Sequence, residues 1–228
     1  MAAPAPGRAV RIPAEAGIEL DADLRVPAAA SGLVVFAHGS GSSRFSPRNR
    51  AVASTLDAAG FGTLLVDLLS APEAAADRLT GEHRFHIAVL ARRVIAAIEW
   101  ARGQPTAPGA LALFGASTGS AAALVAAAER PDAVRAVISR GGRPDLAGPA
   151  LMQVRAPTLL IVGGHDAAVV ELNRRAAGDM RAEVRVEIVP GAGHLFEEPG
   201  ALDTVSRLAV AWCRQYLNPA GTGVSGSR

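Results

Sequence analysis

Short runs of apolar residues recur along the chain, at 33–37, 62–66, 111–114, 134–138, 158–162 and 184–189. Each is strand length and most show little polar alternation, the pattern of strands covered by helices on both faces, so a mostly parallel sheet is expected. Between and after them apolar residues fall at helical spacing: Ile87, Leu90, Val94 and Ile98 in one stretch, Leu202, Val205, Leu208 and Trp212 in another. Strand and helix therefore alternate, which is the order of an α/β fold. Two earlier runs, 9–12 and 18–26, read as short strands forming an antiparallel edge. The body is expected to be one domain spanning 8–218. The segments 1–7 and 219–228 are rich in Ala, Pro, Gly and Ser and are expected to be flexible.

Composition narrows the chemistry. The chain has 228 residues and a formal net charge of +2; its 23 basic residues are all arginine, spread along the sequence. Without lysine there can be no Schiff-base or phosphate-loop lysine, and no basic stripe marks a nucleic-acid partner. The high alanine content reads as a GC-rich coding sequence rather than a special fold. A single cysteine, Cys213, excludes an intramolecular disulfide and a cysteine metal cluster. No signal-peptide pattern and no apolar run of membrane-spanning length is present, so a cytoplasmic protein with no membrane partner is expected.

The chemistry concentrates at three strand ends. Gly115-Ala116-Ser117-Thr118-Gly119 follows the 111–114 run and opens a small-residue helix over 120–129. Strand, sharp turn and helix make a nucleophile elbow, with Ser117 at its tip. The five-residue pattern alone is a weak signal; its context is stronger. Asp166 follows the 158–162 strand in Gly163-Gly164-His165-Asp166, and His194 follows the 184–189 strand in Pro190-Gly191-Ala192-Gly193-His194. Loops after parallel strands emerge on one edge of the sheet, so Ser117, Asp166 and His194 can converge there as nucleophile, orienting acid and base. Asp145 and Asp179 are rival acids, the first after an earlier strand and the second at a helix end. The backbone N–H of Thr118 should donate to a developing oxyanion. The second donor should come from His38-Gly39-Ser40-Gly41-Ser42-Ser43, with Ser40 favoured and Gly39 its alternative.

Taken together, these segments resemble the α/β-hydrolases, and within them the dienelactone-hydrolase-related branch, over roughly residues 30–217. Further stretches, Ser42-Ser43-Arg44-Phe45-Ser46-Pro47-Arg48-Asn49, Ser139-Arg140-Gly141-Gly142-Arg143-Pro144-Asp145 and His194-Leu195-Phe196-Glu197-Glu198-Pro199, resemble a bacterial subgroup sometimes fused to a phosphoribosyltransferase-like domain. The resemblance implies hydrolysis of carboxylic esters. Dienelactone hydrolases proper use a cysteine where this chain has Ser117, so dienelactone itself is a poor substrate expectation. A thioesterase, lactonase or perhydrolase would use the same residues, and a non-catalytic binding protein could keep the same fold.

Other residues admit plainer roles. His38 reads as a structural hydrogen-bonding residue, and His83 and His86 as caps or surface groups; the five histidines have no metal-ligand spacing, so neither metal nor cofactor is expected. Gly39, Arg44, Arg140 and Arg143 are candidate contacts to a small-molecule ester substrate, the arginines by gripping an anionic group. Pairing with Asp67, Asp145, Glu197 or Glu198 is the alternative for them. Only 139–157 separates one core strand from the next, with room for one brief helix over 146–154. A segment at 74–79 can add a turn or two, so the site is expected to have minimal or no lid.

Overall fold

The structure, a computed structural model, describes residues 7–105 and 108–218. The ends expected to be flexible lie, apart from Gly7, outside the described residues. The sheet opens with β1 (Arg8–Pro13) and β2 (Glu19–Arg25), an antiparallel pair. There follow β3 (Leu33–Ala37), β4 (Gly62–Val66), β5 (Leu111–Ala116), β6 (Val134–Arg140), β7 (Thr158–Gly163) and β8 (Val184–Val189). The order across the sheet is β1-β2-β4-β3-β5-β6-β7-β8, antiparallel as far as the β2–β4 pair and parallel beyond it. This is the α/β fold that the apolar runs predict.

Six α-helices clothe the sheet: α1 (Pro47–Ala58), α2 (Ala71–Thr80), α3 (Ile87–Arg102), α4 (Thr118–Glu129), α5 (Ala167–Asp179) and α6 (Ala201–Leu217). On one face Val52 and Leu56 of α1 and Val205 and Trp212 of α6 pack on Phe36, Phe114 and Ile138. On the other, Val94 and Ile98 of α3 and the alanines of α4 pack on Val35, Leu113 and Val137. With apolar cover above and below, every residue of β3, β4 and β5 is buried, which is why their sequences lack alternation.

Four local features differ from the sequence expectation. Helix α1 was not legible in the apolar pattern; it starts because Pro47 occupies its first turn and Ser46 Oγ accepts the Asn49 N–H at 3.3 Å. Helix α2 is longer than the turn or two expected at 74–79. A reciprocal Ser70–Glu73 cap begins it early, and Gly81, at φ 69°, ends it late. Arg140 is not a loop residue: β6 runs two residues past its apolar core and ends on it. The 146–154 helix is a 3₁₀ segment, Pro144–Gln153, broken at Gly148, where φ is 53°.

The strand order sets the site. From β3 the chain crosses to β4 on one side, and β5 then returns to the other side of β3. The loops after β3 and β5 thus leave in opposite directions from neighbouring strands, opening a crevice at the C-terminal edge of the sheet.

Candidate active site

Ser117 stands at that crevice. Its backbone has φ 51° and ψ −122°, a strained conformation for a residue with a side chain, between the end of β5 and the first turn of α4. The flanking glycines are required by contact: a Cβ at Gly115 would strike the Cα of Ser120, and one at Gly119 the carbonyls of Ala37 and His38. The segment after β6 holds the elbow from the other side. Ser117 N–H donates to Arg140 O at 3.2 Å, and Arg143 N–H donates to Ser117 O at 3.1 Å.

Asp166 and His194 meet from the ends of β7 and β8. His194 Nδ1 and Asp166 Oδ2 are 2.7 Å apart, so the carboxylate fixes the proton on Nδ1 and leaves Nε2 as the acceptor. The imidazole is 40% exposed and the carboxylate 20%. The turn after β6 adjoins the histidine: a Cβ placed on Gly141 would sit 3.6 Å from His194 Cε1. The segment 140–143 therefore bonds the Ser117 backbone and passes beside the His194 ring. Among the described residues the His194 ring bonds Asp166 and not Ser117 Oγ. Of the rival acids, Asp145 binds Arg143 and Asp179 ends α5. The neighbouring His165 is exposed and fixed only by its amide, which donates to Ala192 O at 2.9 Å.

The loop after β3 and the start of α4 lie side by side. Ser40 Oγ donates to Arg84 O at 3.2 Å, so the 2.9 Å contact between Ser40 Oγ and Thr118 Oγ1 has Thr118 as donor. Thr118 N–H is in the first turn of α4, where an amide has no helical acceptor. Neither it nor Ser40 N–H bonds a backbone carbonyl among the described residues. Gly39 passes so close that a Cβ there would lie 2.9 Å from Ser117 Cβ.

His38 anchors this loop. Its Nε2 accepts the Leu68 N–H at 3.0 Å, which leaves the proton on Nδ1 to be donated to Gly39 O at 2.9 Å. Burial lowers its pKa below the ordinary value, against the pull of the Gly39 carbonyl and the Asp67 charge. A cavity of about 230 Å³ opens next to it, lined by Gly39, Ser40, Leu69, Ala74, Arg84 and Leu90. Its outer wall is held by Asp77, which accepts the amides of His83 and Arg84 and the Arg84 Nε at 2.8–2.9 Å.

The arginines divide. Arg44 is bound by side chain and amide to Asp67, lies 3.5 Å from Asp23, and stacks on Phe45. Arg143 forms a two-pronged pair with Asp145 at 2.9 and 2.7 Å. Arg140 is 6% exposed and has no carboxylate partner among the described residues. Nothing in the pattern of residues marks Glu198 as an anchor of this turn, yet its Oε1 accepts the Gly193 N–H at 2.9 Å and pins the turn before His194. Asn173 was likewise missed; it donates to Gly142 O at 2.9 Å from within α5. Cys213 is buried, which pushes its thiol up to about 12. No cluster of metal-ligating side chains occurs, and no helix is long and apolar enough to cross a membrane, among the described residues.

Known proteins share this arrangement of the chain. A crystal structure of a dienelactone hydrolase from Anabaena variabilis superposes with a TM-score of 0.91 at 50% identity, covering 93% of this chain and 99% of that one. Est1E from Butyrivibrio proteoclasticus has the same fold, with a TM-score of 0.76 at 17% identity over 91% of this chain and 98% of its own. A Mycobacterium tuberculosis protein named "Putative phosphoribosyl transferase" is 54% identical over 204 residues, which are 89% of this chain and 45% of the relative. The chain thus spans less than half the length of that curated relative. The family model described as "Dienelactone hydrolase family" matches residues 20–216. The chain belongs to the dienelactone hydrolase family, a family of hydrolases with the α/β-hydrolase fold.

Proposed function

We propose that this hydrolase cleaves small carboxylic esters through an acyl-enzyme on Ser117. The observation that carries the reading is the 2.7 Å Asp166–His194 hydrogen bond, formed by residues 28 apart beside a strained serine elbow. In the first half-reaction Ser117 Oγ attacks the ester carbonyl as His194 Nε2 takes its proton. The tetrahedral oxyanion is met by the amides of Thr118 and Ser40. Collapse expels the alcohol, which receives the proton from His194. Water, deprotonated by the same nitrogen, then releases the acid and restores Ser117. Asp166 keeps the proton on Nδ1 throughout and stabilises the imidazolium.

The Mycobacterium relative's name describes a protein of which this chain matches 45%. The matched 204 residues make up most of this chain, so hydrolysis rather than phosphoribosyl transfer is the reading drawn for it. The test is a fluorophosphonate probe, which reports an activated serine whatever the substrate. Labelling should map to Ser117 and vanish in Ser117→Ala; labelling of another residue, or none on folded protein, overturns the proposal.

A further inference from the structure

Among the described residues two arginines are buried, Arg93 and Arg140, and they differ in their partners. Arg93, 2% exposed, has Glu73 at 2.9 Å and Glu15 at 3.4 Å. Arg140, 6% exposed, makes one hydrogen bond, from Nη2 to Asn49 Oδ1 at 3.2 Å, and has no carboxylate; its Nε, like that of Arg93, is buried with no acceptor. An unmatched cation in such a place is costly unless something supplies the opposite charge.

The surroundings add positive charge. Asn49 belongs to the first turn of α1, which contains no acidic residue, so the positive end of the helix is uncompensated. Arg48, next in the chain, also has a buried Nε without an acceptor. Burial, and then the charge of Arg48, lowers the Arg140 pKa to about 10, so it remains a cation at neutral pH. The carboxylate at hand is Glu197, 3.1 Å from Arg48 Nη1; its side chain is 67% exposed and can swing into water at little cost.

We propose that Arg48 and Arg140, with Asn49, form an oxyanion-binding site at the start of α1 that takes a carboxylate or phosphate group in place of Glu197. This site adjoins the reacting centre: Arg140 O holds the Ser117 N–H, and Glu197 lies three residues beyond His194. An anion here can be carried by the ester itself or arrive as a free small molecule. The link to the substrate rests on the esterase reading, whereas binding of the anion does not.

The experiment titrates inorganic phosphate, and separately acetate, into the Ser117→Ala chain by calorimetry. Binding should be saturable and weakened about tenfold or more by Arg48→Gln and by Arg140→Met, as expected for loss of a charge-assisted contact. It should be tightened by Glu197→Gln, which removes the competing carboxylate. If Arg140→Met fails to fold, the Arg48 and Glu197 variants decide the matter. In the active chain, phosphate that competes with a half-ester bearing a free carboxylate, but not with its neutral counterpart, identifies the substrate as the source. Inhibition of both esters alike, without competition, identifies a free anion. Absence of saturable binding by either probe, or affinity unchanged in both Arg48→Gln and Glu197→Gln, overturns the proposal. Because binding is read without turnover, that failure is distinct from failure of the serine to react.

Discussion

Replacing His38 with leucine isolates what a buried imidazole does for the loop that faces Ser117. The substitution removes the acceptor of the Leu68 N–H, a group on a residue only 1% exposed, and the donor to Gly39 O. Stranding a buried amide costs about 1–3 kcal/mol and losing the second bond about 1 kcal/mol, so a destabilisation of about 2–4 kcal/mol is expected. His38→Gln, whose carboxamide oxygen can accept the Leu68 N–H, should recover part of it. The pH dependence gives an independent reading. Burial holds the folded His38 pKa below its ordinary 6.5. As pH falls through that value the unfolded chain binds a proton that the folded chain refuses. Stability from this group is therefore complete above about pH 6.5 and declines below it, by up to about 1.4 kcal/mol per pH unit, until the folded imidazole also titrates. Urea unfolding from about pH 5 to 7.5, followed by far-UV circular dichroism at constant m-value, should show a midpoint difference between parent and leucine variant that narrows as the solution is acidified. Turnover of the variant should fall as well, since the Ser40 amide sits on the freed loop and one misplaced oxyanion donor costs about 10²–10³ in rate. A leucine variant with the parent's midpoint and the parent's pH slope would refute the argument.

Asp166→Asn should lower ester turnover by about 10⁴ through the wrong imidazole tautomer, while Asp179→Asn at the end of α5 stays near the parent; equal, mild losses would remove Asp166 from the site. Gly119→Ala should destabilise by about 1–3 kcal/mol, since its new methyl meets the Ala37 and His38 carbonyls; an unchanged urea midpoint would show that the elbow yields. The cavity of about 230 Å³ beside Ser40 is below the usual range for drug-sized ligands. Rates on p-nitrophenyl esters should accordingly fall beyond about four to six acyl carbons, and a preference for lipid-length chains would overturn that reading.

The strands β3 to β8 were legible because each centres on a short, mostly apolar run, and three of them, β3, β4 and β8, begin and end where the pattern does. The elbow, acid and histidine loops were legible because strand ends are marked by glycine. What escaped depends on three-dimensional partners. Helix α1 presents a largely polar sequence, 47–58, and owes its start to the Ser46 cap. Arg140 follows Ile138 and Ser139 like a loop residue, and nothing local reveals that β6 continues and turns it under α1. Glu198 reaches back to Gly193, and Asn173 across to Gly142, through hydrogen bonds that have no counterpart in hydrophobic spacing.

The base of the proposed reaction follows an edge strand of the sheet. β8 pairs with β7 alone, and most of its residues are only partly covered, whereas β3 and β5, which lead into the Ser40 loop and Ser117, are wholly enclosed. The cooperative unit that opens first on warming should therefore include β8 and the His194 loop, leaving the elbow folded. Catalytic competence then becomes a gauge of this local opening: ester turnover should fade some degrees below the global melting transition, and amides of β8 should exchange with solvent sooner than those of β5.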